Sequence, residues 1–390
     1  MTAQIGETMK LHRISFYDNF TCATDQCPDT CCAGWNIPVD QETMQKWQTY
    51  PLSLRLGLFS HLCKKEGIPC IRMTHTHCPF QDADMLCSLE RHHGEDAMPH
   101  ICRIYPRKRK NYGICAEETL ELSCPKAAEL FLEHRHDFHY VSLDTEISYP
   151  VSGTNQDATF FEDLLFCREE LISFLQTADM DFPAICAVLI RYAKKQQEFW
   201  ISHGFSFADG IQPQSLHHSD DFPHPVQINP ADAFLISGDI LSRMISEGLY
   251  HEKMRTKSPF LYELCHLYFD EFSGSKKTPD VSQHLMFLHN DLQNVLPDVE
   301  DLLRSYYIYY LDSCFLDIFE TYSFLKTIAS GIIHVSLIWL FFSLYHRKYH
   351  SLTGAEQARI IAAYEKRARH NDVVLNAMYE ALTPLFTNLQ

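Results

Sequence analysis

The segment CATDQCPDTCCAGWNIPVD, residues 22–40, decides how the amino-terminal part of the chain folds. It places four cysteines, Cys22, Cys27, Cys31 and Cys32, within eleven residues, among Asp, Pro and Gly residues that favour turns. A loop of this composition turns several thiols to one side, which is typical of a metal ligand set. The segment therefore predicts an irregular loop organised around a metal.

Further cysteines follow in CPFQDADMLC (78–87), CRIYPR (102–107) and SCPKAAEL (123–130). Soft thiolates suit iron or zinc and suit Mg²⁺ or Ca²⁺ poorly. The paired Cys-x2-Cys spacing of many zinc sites is absent, which favours iron. The candidate ligands are Cys27, Cys31, Cys32, Cys78, Cys87 and Cys102, with Cys22 and Cys124 in reserve. Their spacing does not select four of them.

The remaining cysteines are expected to have no role in metal binding. The chain has 390 residues and 15 cysteines, an odd number, and residues 1–10 lack an apolar signal segment. Both observations indicate a reducing compartment, and we expect the cytoplasm. The cysteines set aside are Cys63, Cys70, Cys115, Cys167, Cys186, Cys265 and Cys314, the last four as small buried side chains. The histidines expected to be non-ligands are His75, His77, His92, His93 and His100.

The second part of the chain reads as helices. Apolar residues recur at three and four positions in FFEDLLFCREELISFLQ, residues 160–176, which is typical of a packed helix. We expect a mainly α protein in which an irregular cysteine-rich metal domain packs on a helical domain. The expected limits are 1–140 for the metal domain, 141–157 for a linker and 158–390 for the helical domain.

Charge and hydropathy restrict the partners. The formal charge is −17, and residues 131–390 hold 34 acidic against 19 basic side chains. This balance disfavours nucleic acid and suits a cationic protein surface. Residues 327–345 carry no Asp, Glu, Lys or Arg, but serines and a histidine interrupt them. We therefore expect a buried core helix and no membrane span.

The order of the motifs resembles the flagellin lysine-N-methylase family, a relative of cysteine-rich domains that chelate zinc or iron. The resemblance rests on the double cysteine followed by Gly34 and Trp35, the acidic Asp40, the Cys-Pro-Phe at Cys78, and the Tyr-Pro-Arg after Cys102. It extends more loosely to LLRSYYIYYL (302–311) and EKRARHND (365–372). The polar Gln81 and Asp82, where an apolar position is expected, depart from the pattern.

The resemblance implies an enzyme that contains a [4Fe-4S] cluster and transfers methyl groups from S-adenosyl-L-methionine to lysines of flagellin. The alternatives are a non-catalytic protein with a structural iron–sulfur or zinc site, and a redox or iron-handling protein. Arg107 is a candidate to hold the donor carboxylate or to offset cluster charge, and Trp35 to shield the cluster. No residue is identified as the catalytic base. The other basic residues near Arg107 are expected in a solvated turn, and the tyrosines at 306–310 are expected to pack with their hydroxyls at the surface.

Overall fold

A computed structural model describes residues 9–74, 77–113, 115–145, 155–204, 215–216, 238–251, 254–273 and 281–368, together with 374, 377 and 380. The fold is mainly helical, which confirms the predicted class. His75 lies outside the described residues.

The strands lie in the first 145 residues. They are β1 Met9–Ile14, β2 Leu62–Lys65, β3 Ile68–Ile71, β4 Arg107–Asn111, β5 Cys115–Leu120 and β6 Tyr140–Thr145. Four of them form a sheet in the order β4-β5-β1-β6, in which β1 and β5 run parallel with Leu11 opposite Ala116. The other two form a hairpin. The sheet therefore joins chain segments that are more than 100 residues apart.

Helices make up most of the rest. In the cysteine-rich part they are α1 Gln41–Gln48, α2 Leu52–Ser60, α3 Ser88–His93, α4 His100–Ile104 and α5 Pro125–His134. The body contains α6 Asn155–Thr177, α7 Phe182–Ser202, α8 Gly238–Arg243, α9 Met254–Lys257, α10 Pro259–Ser273, α11 Val281–Val295, α12 Val299–Cys314, α13 Ile318–Thr321, α14 Phe324–Tyr349 and α15 Gly354–Ala368. A π-helical turn at Met244–Leu249 and 3-10 turns at Tyr17–Asn19, Thr24–Gln26, Glu95–Ala97 and Phe315–Asp317 complete the set.

Both ends of the expected linker contain regular structure. Residues 141–145 belong to β6, which pairs antiparallel with β1, and α6 begins at Asn155. Residues 146–154 lie outside the described part of the chain. The sequence suggested a linker because this stretch is polar, but an edge strand with one exposed face has the same composition.

Two large hydrophobic cores organise the described residues, beside a small cluster of Leu11 and Ala116 on the sheet. The larger core joins residues of the sheet and α5, such as Ile14 and Phe131, to the helices of the body. The smaller core lies within the cysteine-rich part and centres on Trp47, whose indole N–H donates to the carbonyl of Ala97 at 2.8 Å. The larger core contains residues from both sides of the division expected at residue 140, and the domain limits stay a prediction.

Helix α14 runs through the centre of the body. It packs against α7, α10, α11, α12 and α15. Among the described helices, it is the one whose length and apolar composition would suffice to cross a membrane, but 89% of its most apolar 18-residue window is buried in the protein. The burial agrees with the expectation of a core helix, because a helix surrounded by others is apolar on every face.

The tyrosines of α12 correct the expectation of hydroxyls at the surface. All four are buried, and their hydroxyls donate to acceptors inside the protein. Tyr307 donates to the carbonyl of Ile328 at 2.9 Å, and Tyr310 to that of Thr327 at 3.0 Å. The remaining pairs are Tyr306 with the Glu365 carboxylate and Tyr309 with the Leu120 carbonyl. Because each hydroxyl has a partner, a tyrosine-rich helix is compatible with the core.

We predict that Gly331→Ala destabilises the protein. A Cβ at Gly331 in α14 would lie 2.6 Å from ring carbons of both Tyr307 and Tyr310, so the packed helices would have to shift. Overpacking of this kind costs roughly 1–3 kcal/mol of unfolding free energy. The matched control is Gly57→Ala in α2, where no atom lies within 4 Å and where the change favours helix by roughly 0.5–1 kcal/mol. Urea unfolding of both variants tests this, and equal stabilities would contradict it.

Candidate metal centre

A cavity of about 300 Å³ lies between the two cores, and we call it the cysteine cavity. All eight candidate ligands line it: Cys22, Cys27, Cys31, Cys32, Cys78, Cys87, Cys102 and Cys124. None of the seven cysteines set aside lies on its wall. Four separate stretches of chain thus bring their thiols to one place. Metal binding by these thiols stays a prediction.

The first stretch, residues 22–32, is an irregular loop around the side chain of Thr30. The Thr30 hydroxyl accepts hydrogen bonds from the amide of Cys32 at 3.0 Å and from the side-chain amide of Gln81 at 2.8 Å. Lys366 of α15 reaches into the loop and donates to the Asp29 carboxylate at 2.8 Å and to the Thr30 carbonyl at 2.7 Å. One lysine therefore fixes the loop to the helical body.

The second stretch, residues 78–87, is built on the first. The amide of Cys78 donates to the carbonyl of Cys32 at 2.7 Å, which places the two cysteines side by side. Asp82 accepts from the amides of Asp84 and Leu86, both at 3.0 Å, and closes a tight turn. The polar Gln81 and Asp82, which depart from the family pattern, thus hold the two loops in shape.

The third stretch is the short helix α4, which carries Cys102. Its first amide, that of His100, donates to the Asp40 carboxylate at 2.8 Å, and the same carboxylate caps α1 through the amide of Thr43 at 2.9 Å. Burial opposes ionisation of Asp40, but the amides of Thr43 and His100 outweigh it and hold its pKa at about 2. A charged Asp40 therefore joins the start of α1 to the helix that presents Cys102.

Four thiols lie within electrostatic reach of one another. Burial raises the pKa of the Cys102 thiol far above its usual range, and three neighbouring thiols raise this pKa further: Cys78, Cys31 and Cys87. Burial raises the pKa of Cys78 to about 11, with added effect from Cys87 and Cys31. Burial likewise raises the pKa of Cys87, and Cys31 adds to it. Cys31 thus raises the pKa of the other three, and these four thiols, which we call the quartet, ionise together only where a cation compensates.

Arg107 and Trp35 both line the cavity, as expected of cofactor-binding residues, yet each also has a structural partner. The Arg107 guanidinium donates to the carbonyl of Phe20 at 3.0 Å and lies 5.1 Å from the centre of its ring. The Trp35 indole donates to the carbonyl of Cys31 at 2.7 Å, and its ring lies 6.0 Å from that of Tyr105. Both residues therefore fix the first cysteine loop, and their role toward a cofactor stays a prediction.

The basic residues after Arg107 form a strand and not the expected solvated turn. Residues 107–111 are β4, at one edge of the sheet. Lys108 pairs with Glu121 at 2.7 Å, Arg109 pairs with Glu118, and Lys110 pairs with Asp317. The carboxylates neutralise these positive charges. Lys108, Arg109 and Lys110 do not line the cavity.

Sequence reasoning missed Lys366, Glu90 and Glu95. Lys366 contacts a loop more than 300 residues earlier in the chain, and such a contact leaves no local signal. The exposed Glu90 and Glu95 line the cavity, and the described residues show no ion pair for either carboxylate. No histidine lines the described wall of the cavity. In the described ranges, no three cysteine, histidine or acidic side chains are close enough to hold a single metal ion.

Comparisons with known proteins agree with the resemblance. The chain is 30% identical over 125 residues to a lysine-N-methylase of Salmonella choleraesuis, and to the same extent to one of Salmonella typhimurium. It is 26% identical over 130 residues to the flagellar biosynthetic protein FliU of Salmonella muenchen. Each match covers 30% of this chain. The matches span 31% of both lysine-N-methylases and 74% of the FliU protein.

These relatives confirm the predicted resemblance to lysine-N-methylases over about a third of the length of those proteins. No family model matches the chain, and no solved structure matches it. The comparisons therefore concern a limited stretch of the chain, and they name no cofactor.

We predict that Lys366→Met destabilises the protein by about 2 kcal/mol, because two hydrogen bonds of a charged donor are lost and the Asp29 carboxylate loses its partner. Lys366→Arg keeps the charge and is expected to restore part of the loss. Lys348→Met, at an exposed position on α14, is the control and is expected to change stability by less than about 0.5 kcal/mol. Denaturant unfolding measures all three, and equal midpoints for Lys366→Met and Lys348→Met would rule out the contact as a support of the loop.

Proposed function

We propose that the chain is a protein lysine N-methyltransferase that uses S-adenosyl-L-methionine, acts on flagellin in the cytoplasm and holds a [4Fe-4S] cluster. The names of the relatives support methyl transfer to lysine and a link to the flagellum. The observation that carries the proposal is the convergence of eight cysteines on one cavity. Cavities between two packed units are a common place for active sites.

The quartet supplies the ligands of the proposed cluster: Cys31, Cys78, Cys87 and Cys102. A tetrahedral zinc ion holds its sulfurs at about 2.3 Å and draws them close together. Four cysteine thiolates are the ligand set of a [4Fe-4S] cluster, and the quartet offers that set at one cavity. When bound, such a cluster supplies iron centres that order the ligand loops and exchange electrons.

Methyl transfer requires a neutral lysine in line with the methyl group. The lysine nitrogen forms a bond to the methyl carbon while the bond from that carbon to the sulfonium sulfur breaks, which leaves S-adenosylhomocysteine. The lysine ammonium must first give its proton to a base or to water. Glu90 and Glu95 line the cavity and would attract the cationic side chain. Arg103 and Lys126 also line it, paired with Asp96 and Glu129, and would bind the donor carboxylate by exchanging these partners.

The direct test incubates the anaerobically purified full chain with flagellin and S-adenosyl-L-methionine, followed by mass spectrometry of the flagellin lysines. Methylated lysines in samples that contain the protein, and none in samples without the methyl donor, would support the proposal. A protein that holds iron and sulfide but leaves flagellin unmodified would instead be a redox or iron-handling protein.

We predict that Cys78→Ser removes the cluster. Cys78 is a buried member of the quartet, and loss of one thiolate weakens both metal binding and the loops that the metal orders. Iron and sulfide should fall from about four of each per chain to near zero, together with the visible absorption of the cluster. Cys63→Ser in the hairpin β2–β3, outside the cavity, is the matched control and should retain both. Full iron content in Cys78→Ser would exclude Cys78 as a ligand.

We predict that the double variant Glu90→Gln and Glu95→Gln weakens binding of the lysine substrate. Each exposed ion pair contributes roughly 0.2–1 kcal/mol, so loss of both should raise KM for flagellin roughly 2-fold to 30-fold. The cluster content and KM for S-adenosyl-L-methionine should stay as in the wild type. Glu169→Gln, on the exposed face of α6 and away from the cavity, serves as the control. An unchanged KM for flagellin in the double variant would remove both carboxylates from substrate attraction.

A further inference from the structure

The hairpin β2–β3 holds two of the cysteines that lie outside the cysteine cavity. Its strands pair antiparallel, with Cys63 directly opposite Cys70. The turn between the strands consists of Glu66 and Gly67, whose φ angles are both positive, +51° and +84°. Two-residue turns of this kind match the twist of the flanking strands and fix the register of a hairpin. The two cysteines are therefore held face to face by the backbone.

The backbone geometry of this pair suits a disulfide. The amide of Ile71 points away from β2 and donates to the carbonyl of Ile37 at 2.9 Å. Because backbone groups alternate along a strand, those of Cys70 face β2, and Cys70 forms a hydrogen-bonded pair with Cys63. The Cα atoms of such a pair lie about 5.5 Å apart. Disulfides join Cα atoms separated by about 4.4–6.8 Å, so a bond can form without a movement of the strands.

The two thiols lie on the face of the hairpin that is turned away from the smaller core. Leu62 and Ile71, each next to one of the cysteines, pack in that core, and side chains alternate between the faces of a strand. Cys70 is buried, yet it belongs to none of the hydrophobic clusters of the described residues. Cys63 is half-buried. A small molecule can therefore reach Cys63 first, with Cys70 beside it.

We propose that Cys63 and Cys70 are a redox modification site, which forms a reversible disulfide when a small disulfide such as oxidised glutathione is present. The Cys63 thiolate attacks one sulfur of the small disulfide, forms a mixed disulfide and releases one thiol. The Cys70 thiolate then attacks the Cys63 sulfur and releases the second thiol. The protein gives up two electrons and two protons, and the small disulfide takes up both. In a reducing compartment, disulfides are usually transient and sense the redox state.

The modification site lies next to the cysteine cavity without being part of it. Neither Cys63 nor Cys70 lines the cavity, whereas Ile71 and its hydrogen-bond partner Ile37 both do. A disulfide would join the two strands of the hairpin covalently, directly beside this part of the cavity wall. The bond requires only the two thiols, so it depends neither on a metal nor on methyl transfer.

The test maps the disulfide by mass spectrometry. The full chain is purified anaerobically, incubated with equal concentrations of oxidised and reduced glutathione, treated with iodoacetamide to block free thiols, and digested with trypsin. Trypsin cuts between the two cysteines, so they fall in separate peptides, 56–64 and 66–72, each with one cysteine. We expect these peptides to be joined in most molecules, and to separate when dithiothreitol is added before the blocking step. In Cys70→Ser, Cys63 should instead keep a glutathione adduct, because no second thiol displaces it.

A matched control moves the second thiol along the same strand. The double variant Cys70→Ser and Ile68→Cys places it diagonally from Cys63 on the same face of the hairpin. Diagonal neighbours lie roughly 7–8 Å apart, beyond the reach of an unstrained disulfide. We expect several-fold less joining of the two peptides in this variant than in the wild type.

Three results would overturn this inference. In the first, Cys63 and Cys70 of the wild type are both recovered as blocked free thiols. In the second, Cys63 is joined to a cysteine of the cavity in place of Cys70. In the third, the diagonal control is joined as completely as the wild type, which would show that the strand register does not select this pair. None of these results bears on the proposed methyl transfer, which is tested separately with flagellin.

Discussion

The gathering of eight thiols at one cavity is the constraint on which the cysteine-rich part of this structure depends. Burial raises the pKa of Cys78, Cys87 and Cys102, and Cys31 raises the pKa of all three further. Without a cation, these groups are stable near one another only as protonated thiols. The loops that carry them contain little regular structure of their own, so their shape comes from contacts with one another and with the body. A metal would bind the same thiols as thiolates and convert a source of repulsion into a source of stability.

The helical body takes part in the site as well as supporting it. Lys366 reaches from α15 to Asp29 and Thr30 and so positions the double cysteine, while α5 presents Cys124 at its first turn. These two helices pack against each other, which places the first loop and Cys124 on one rigid support. Because the sheet ties β1 to β5, the chain that leads into Cys22 and the chain that leads into Cys124 start from neighbouring strands. The geometry of the cavity is therefore set by long-range packing.

Local signals in the sequence predicted some of these features and missed others for physical reasons. Cysteine density and turn residues indicated the eight thiols that meet at the cavity, and the apolar character of residues 327–345 indicated a core helix. The strand at Tyr140–Thr145 was missed because an edge strand with one exposed face resembles a linker. The buried hydroxyls of α12 and the contact of Lys366 depend on partners far away in the chain. The quartet was likewise hidden, since spacing along the chain does not encode proximity between loops.

The size of the cavity limits how the proposed methyl transfer can work. A volume of about 300 Å³ is at the lower end of ligand sites, which span roughly 300–1,000 Å³. A cluster on the quartet would fill part of it, so a methyl donor and a lysine side chain cannot both lie deep inside. At least one of them must bind at the mouth, where Glu90, Glu95 and the exposed Cys22 lie. Lys366 fixes the first loop at Asp29 and Thr30. The earlier part of this loop, which carries Cys22 and Cys27, lies nearer the mouth, and such substrates would contact that part.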